Sequence, residues 1–287
     1  MHIGTIEEIR RYPVKSMLGE SLPAVTLGAG GLPGDRAWAV RDEVRGGIRG
    51  AKKIPALMRL RASYPSPPAP AGSSPAEILF PDGARVATGD PDVHERLSAA
   101  LDQQVTLWPL LSAAALDHYR RGAPTHEDLE VELRAIFGRE PDEPLPDLTI
   151  FPPELLELES PAGTYFDAFP LLLMTTTSLA TMQARAPASR FDVRRFRPNL
   201  MLSVPATGDP FPELAWRGRR LRVGGAVVRV TVECPRCVMT THGFEDLPRD
   251  PAVMRALVRE AGGNLGVYAT VEKPGALATG DPVALLD

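Results

Sequence analysis

The chain has 287 residues and a net charge of −4, with 44% hydrophobic and 24% charged residues, the make-up of a globular protein large enough for one big core or two modest ones. No apolar run approaches the roughly 20 residues that cross a bilayer. Met1-His2-Ile3-Gly4-Thr5-Ile6 lacks a basic stretch followed by an apolar one, so a cytoplasmic protein without a secretory leader is expected.

The charge is unevenly spread. Between Arg185 and Arg236 stand eleven Arg, no Lys and four acidic residues, a local charge of +7 that leaves −11 on the remainder. An acidic remainder argues against a nucleic-acid binder, whose basic surface is broad. A local Arg excess suits a compact anion such as a phosphate, because guanidinium donors match its oxygens in pairs. A solvated strand face is the alternative for any single Arg.

In chain order, residues 3–9 read as a strand, and Tyr12-Pro13-Val14-Lys15-Ser16 as an extended corner, since proline restricts the residue before it. Lys15 falls on a turn before a strand near 22–27. The glycine-rich segment 28–34 lacks the G-x-G-x-x-G spacing and no helix follows, so a dinucleotide fingerprint is a poor fit. Residues 35–40 alternate as a strand, and Lys52-Lys53-Ile54-Pro55 leads into another at 60–64. Residues 65–75 are Pro/Ala/Ser-rich and read as a loop. Pro81-Asp82-Gly83 marks a hairpin between 77–80 and 85–88. Asp90 and Pro91 are expected to open a helix that buries Val93, Leu97, Ala100 and Leu101. Residues 105–110 complete this part as a strand. Residues 128–137 suit a short helix, and 139–153 are acidic and proline-rich.

A strand at 171–174 runs into Thr175-Thr176-Thr177-Ser178 and a helix over 179–186, capped by Thr177 or Ser178. Hydroxyls and free N–H groups at a helix start can hold an anion, or simply cap the helix. Arg194-Arg195-Phe196-Arg197-Pro198-Asn199 leads into a strand at 200–204. Further strands are expected at 221–223, 227–232 and 267–271, with a helix at 251–261. Many strands, few helices and no βαβ rhythm favour an α+β, mostly β, barrel-like fold.

Both cysteines lie in Glu233-Cys234-Pro235-Arg236-Cys237. Structural zinc needs about four Cys or His ligands, and only His242 is near. An iron–sulfur cluster needs about four cysteines. A thioredoxin-type dithiol belongs where a strand meets a helix start, whereas Val238-Met239-Thr240-Thr241 is β-prone. The fourth reading is one thiolate ligating a metal that is held mainly by another cofactor.

Tyr12-Pro13-Val14-Lys15-Ser16, Gly31-Leu32 with Asp35-Arg36-Ala37-Trp38, Arg195-Phe196-Arg197-Pro198-Asn199, Cys234-Pro235-Arg236-Cys237 and the tail from Asn264-Leu265-Gly266-Val267-Tyr268 to Gly280-Asp281-Pro282-Val283 together resemble the MOSC-domain family. The resemblance covers nearly the whole chain. It implies an N-terminal MOSC-associated β-barrel-like domain (1–115), a connecting segment (116–150) and a MOSC β-barrel domain (151–287). It also implies a molybdenum–molybdopterin cofactor whose metal is ligated by Cys237, the catalytic ligand, with Cys234 as the alternative. Lys15 and Arg36 match cofactor-binding positions of the first domain. Thr177, Ser178, Arg197 and Asn199 match those of the second, and Arg236 lies between the cysteines. Within the family the chain is similar to the amidoxime-reducing components, which implies reduction of N-hydroxylated small molecules by oxygen removal at the metal. The chain ends at Asp287 without a ferredoxin domain, so a separate ferredoxin-, flavin- or cytochrome-type electron donor is expected. A cofactor carrier without turnover and a CxxC dithiol oxidoreductase are the other readings.

Overall fold

Ten residues at the start of the chain close a barrel whose other strands all come from the C-terminal half. In the computed structural model, which describes residues 1–205 and 208–286, the barrel strands are β1 (His2–Arg11), β2 (Leu171–Thr175), β3 (Leu200–Ser203), β4 (Arg220–Val223), β5 (Ala226–Pro235), β6 (Asn264–Lys273) and β7 (Pro282–Leu285). Their order around the ring is β1-β3-β2-β6-β5-β4-β7, with β7 pairing back to β1. All pairs are antiparallel except β2–β3. A parallel pair needs a crossover, and here it contains helices. β5 shows why these segments are strands: Ala226, Val228 and Val230 are buried while the residues between them are not, the period of two that fills a small barrel with side chains. Ile6 and Ile9 of β1 join that core, so the expected unit 1–115 shares its first strand with the barrel.

The rest of the first hundred residues packs as two three-stranded sheets. Trp38–Asp42 lies between Ile48–Arg49 and Val105–Pro109, and Glu77–Leu79 lies between Arg61–Ser63 and Arg85–Ala87. Their core also takes in Met239, Phe244 and Leu247 from the far end of the chain. Six helices are present among the described residues: α1 (Val93–Leu101), α2 (Leu116–Tyr119), α3 (Leu129–Phe137), α4 (Thr176–Arg185), α5 (Val193–Phe196) and α6 (Ala252–Ala261). α4 and α6 pack together outside the barrel through Met182, Val253 and Leu257. No described helix is long and apolar enough to cross a membrane. The fold is mostly β, as expected. The final residue of the expected third segment, Asp287, lies outside the described residues.

Several local expectations are corrected. The strand near 22–27 is two strands, Glu20–Leu22 and Ala24–Leu27, separated by Pro23, which has no N–H for a ladder. They pair with β1 and with Gly275–Ala278. Asp90 does not cap α1; its carboxylate accepts from the Ala87 N–H and finishes the preceding hairpin, and Ala100 is exposed. α4 begins at Thr176, capped by Thr175, whose hydroxyl accepts from the Ser178 N–H at 3.1 Å. Residues 238–241 are a single 3₁₀ turn with Cys237 at its N-cap, not a strand, and residues 193–196 form α5.

Two histidines are buried in polar contacts. His118 Nε2 lies 2.7 Å from the Tyr165 hydroxyl, and His242 Nε2 lies 2.9 Å from the Ala51 carbonyl. Burial, aided by nearby arginines, holds both below the ordinary imidazole value. The unfolded chain therefore binds more protons than the fold below about pH 6.5, so stability is retained above that pH and falls beneath it. Urea unfolding at about pH 7.5 and about pH 5.5 is expected to show lower stability at the acid end, at up to about 1.4 kcal/mol per pH unit for each imidazole. The slope should shrink in His118→Phe.

Candidate functional site

The Tyr12-Pro13 corner at the end of β1 is locked from several directions. Asp35 accepts from the Tyr12 N–H at 2.7 Å and from Asn199 Nδ2 at 3.0 Å. The Tyr12 hydroxyl donates to the Pro198 carbonyl at 3.0 Å, and the Leu172 N–H donates to Asn199 Oδ1 at 3.1 Å. Asp35 and Asn199 thus tie the starts of β2 and β3 to the end of β1. Two guanidiniums stack on the Tyr12 ring, Arg197 at 4.1 Å and Arg36 at 5.1 Å from its centre. Arg36 also pairs with Asp35. Ser16, Arg36 and Arg197 have φ of 69°, 49° and 58°, a backbone region that costs a non-glycine residue about 1–3 kcal/mol and tends to gather at binding sites.

Beside this corner lies a cluster of charged side chains. Lys15 Nζ donates to the Tyr165 carbonyl at 2.8 Å, to Asp167 Oδ1 at 3.1 Å and to Ser160 Oγ at 3.3 Å, and Lys52 reaches the same Asp167 oxygen at 3.4 Å. The Asp167 side chain is 42% exposed. Enclosure opposes its charge, but Lys15, Lys52 and Arg36 outweigh that and hold the carboxyl well below the usual carboxylate range. Burial lowers Lys15, whereas Asp167 and the Cys237 sulfur raise Lys52 against its own desolvation. Burial pushes Arg197 down to about 10. Its Nη1 donates to the Met17 carbonyl, and its Nη2 is buried with no partner. An orphaned donor of this kind costs about 1–3 kcal/mol, a cost that an added acceptor would relieve.

The two thiols, both free, occupy different surroundings. Cys234 continues the buried face of β5, with its Sγ 3.9 Å from the Pro235 carbonyl. Cys237 lies beyond the strand, half-buried against the core of the N-terminal sheets. Burial pushes both thiols up. For Cys237, Asp167 adds to the rise, while Lys52 and Arg236 pull the other way. Arg236 is a brace: it donates to the Leu265 carbonyl at 2.7 Å and the Phe196 carbonyl at 3.0 Å, with Nη2 against Met174 Sδ at 3.2 Å. Gly266 leaves space beside it, since a Cβ there would meet Met174, the Leu173 carbonyl and Arg236 Nη2 at 2.6, 2.7 and 3.2 Å. Among the described residues no three His, Cys, Asp or Glu side chains gather as a metal cage. A metal at Cys237 would need other ligands from a cofactor.

Lys15, Arg36, Arg197 and Cys237 therefore all lie within electrostatic reach of Asp167, Asn199 Oδ1 lies 3.4 Å from Arg36, and Arg236 braces the turn. Thr177 and Ser178 are not brought there. Because α4 starts at Thr176, the Thr177 hydroxyl donates to the Val204 carbonyl and Ser178 bonds Glu213. Glu213 is fully buried and burial raises its carboxyl, so the helix start expected to hold an anion is filled by this protein's own side chain. Sequence reasoning gave no role to Asp167, Lys52, Tyr12 or Asp35. Tyr12 and Asp35 stood inside the motifs, Lys52 was legible only as one of a basic pair, and Asp167 carried no signal.

The charges around Cys237 predict opposite shifts in the cofactor-free protein. With Cys234 replaced by serine, Asp167→Asn should lower the thiol and speed alkylation by iodoacetamide near pH 8, and Lys52→Met should slow it, each severalfold. Equal rates in both variants would show that neither charge reaches the sulfur.

Residues 3–104 match the MOSC N-terminal beta barrel domain, and residues 162–284 match the MOSC domain. Human mitochondrial amidoxime reducing component 2 is 35% identical over 133 residues, 42% of this chain and 38% of that protein. The chain thus spans well under half the length of that relative. Mouse mitochondrial amidoxime-reducing component 1 is 24% identical over 318 residues, 99% of this chain and 83% of that protein. A solved structure of the YUAD protein from Bacillus subtilis aligns over 98% of this chain and 93% of its own, at 14% identity and a TM-score of 0.43. With matched domains at both ends, the chain belongs to the MOSC-domain family.

Proposed function

We propose that the chain binds a molybdenum–molybdopterin cofactor beside Cys237 and reduces N-hydroxylated small molecules, taking electrons from a separate carrier protein of ferredoxin, flavin or cytochrome type. The observation that carries this reading is a half-buried thiol that feels Lys52 and Asp167, where Asp167 is also the carboxylate that gathers Lys15, Arg36 and Arg197, and Arg197 has a buried donor with no acceptor. There Cys237 would ligate the metal as thiolate, the soft ligand that such an ion favours. Arg197 Nη2 and Arg36 would take the phosphate and pterin oxygens, with the Tyr12 ring holding both guanidiniums in place. Lys52 would stabilise the ionised sulfur, and Asp167 would hold Lys15 and Lys52 in place. Arg236 would fix the backbone that carries Cys237. When bound, the cofactor supplies a two-electron metal centre that takes the oxygen from an N–OH group, with two protons consumed and water released. The resemblance to amidoxime reducing components supports this substrate class.

The test is protein from a host that makes molybdenum cofactor, assayed for metal, pterin and benzamidoxime reduction by reduced methyl viologen. Near-stoichiometric metal with turnover is expected. Metal without turnover on any N-hydroxylated substrate would favour a cofactor carrier. Absence of both metal and pterin would overturn the proposal. A dithiol oxidoreductase is disfavoured by the burial of Cys234 and the upward shift of both thiols.

A further inference from the structure

On the far side of the turn that begins at Cys237 lies an open groove of about 940 Å³. Its floor is apolar, with Pro55, Phe80, Phe244 and Leu247, and its rim carries Arg59, Arg61 and Arg249 against one acidic residue, Glu245. Glu245 is already neutralised by Arg61 at 2.6 Å and Arg194 at 2.8 Å. Arg59 and Arg249 are exposed, and among the described residues neither has an ion-pair partner. In a chain of net charge −4 this rim is positive and uncompensated.

The groove and the thiol share one piece of structure. Cys237 packs against the same core cluster as Phe80, Phe244 and Leu247. The turn Val238–Thr241 leads from the sulfur directly to His242 and Gly243 on the groove wall. Four residues of 3₁₀ helix rise roughly 8 Å, so the wall begins on the order of 10 Å from the backbone that carries Cys237. His242 is pinned to the Ala51 carbonyl next to Lys52, and Arg195 bonds the Thr240 and His242 carbonyls. The wall cannot move without moving the thiol-bearing turn.

We propose that this groove is the docking site for the acidic face of the electron-carrier protein that the reaction requires. The inference rests on the function proposed above. Each turnover oxidises two one-electron carriers, takes two protons from solvent and releases one water as N–OH becomes N–H. An apolar floor with a charged rim is the layout of a transient protein interface, in which rim charges set the encounter rate and its salt dependence. The positive rim selects an acidic partner.

The experiment uses the full-length, cofactor-loaded chain, an acidic plant-type [2Fe–2S] ferredoxin as probe and the double variant Arg59→Glu with Arg249→Glu. Ferredoxin binding is measured at low and high salt, and benzamidoxime turnover is measured with reduced ferredoxin and with reduced methyl viologen. The variant is expected to bind roughly tenfold more weakly at low salt and to lose most of the salt dependence, because reversing the two charges shifts the rim by about four units of charge. Viologen-driven turnover should be unchanged. Ferredoxin binding that is absent in wild type, or unaltered by the reversal, would overturn the docking site. So would saturable binding of a small amphiphilic anion such as dodecanoate that the variant loses while ferredoxin binding persists. Failure of viologen-driven turnover in wild type would count against the function instead, and the binding measurement would still decide the groove.

Discussion

Cys237→Ser is expected to lose molybdenum almost completely, on the order of 100-fold or more in metal content after gel filtration, and viologen-driven turnover with it. The reasoning is chemical. A serine hydroxyl is a hard donor and does not ionise near neutrality, whereas a thiolate is soft and is deprotonated outright by a bound ion. Altering residues that merely support a ligand typically costs 10–100-fold in metal affinity, so removing the ligand itself should cost more. The substitution barely changes volume, and the half-buried side chain sits at the edge of its cluster, so the fold should survive. Unchanged circular dichroism and melting temperature would show that the metal was lost for the stated reason. Cys234→Ser is the matching control. It should retain the metal and lose about 1–3 kcal/mol of stability, because a hydroxyl replaces a sulfur that is only 2% exposed. Loss of metal in Cys234→Ser and retention in Cys237→Ser would reverse the assignment.

The second large effect concerns Arg195, which is 1% exposed and holds the segment between the thiol and the groove. Its guanidinium donates to four backbone carbonyls: Arg190 at 3.0 Å, Thr240 at 3.1 Å, His242 at 2.9 Å and Pro248 at 2.7 Å. Burial pushes its pKa below the ordinary value, while Asp250 and Asp192 pull the other way. Arg195→Met keeps most of the volume and removes every donor, leaving buried carbonyls unsatisfied. A loss of about 3–5 kcal/mol is expected. For a chain of this length that is a fall in melting temperature of roughly 6–12 °C. Arg195→Lys should recover little, because a compact ammonium cannot span acceptors set for a planar fork. Scanning calorimetry decides it: a melting temperature within about 2 °C of wild type would mean that the segment is held by packing alone.

Much of this protein was legible along the chain because it is local. The alternation in residues 226–235, the turn at Pro81-Asp82-Gly83 and the helix start at Asp128 each depend on a few neighbouring residues, and each lies close to where the pattern predicts. The placement of both cysteines in one tetrapeptide and the Arg excess after residue 185 likewise marked the thiol and the basic surroundings without any fold. Lys15, Arg36, Arg197 and Asn199 were legible as motif members, and they do converge.

What the tertiary structure alone decided is which distant groups face one another. Asp167 meets Lys15 across 152 residues, and Asp35 meets Asn199 across 164. A pair bonded at that separation leaves no periodicity in the chain. Closure of the barrel by β1 is of the same kind, because a strand's partner depends on register and topology rather than on its own residues. Thr177 and Ser178 show the converse. A helix that begins one residue beyond its cap at Thr175, with Glu213 delivered to its first turn from another segment, turned two plausible anion ligands into internal caps. Local sequence set the elements and the reactive groups. Long-range packing decided which of those charged groups lie together, as Asp167 does with Lys15 and Lys52.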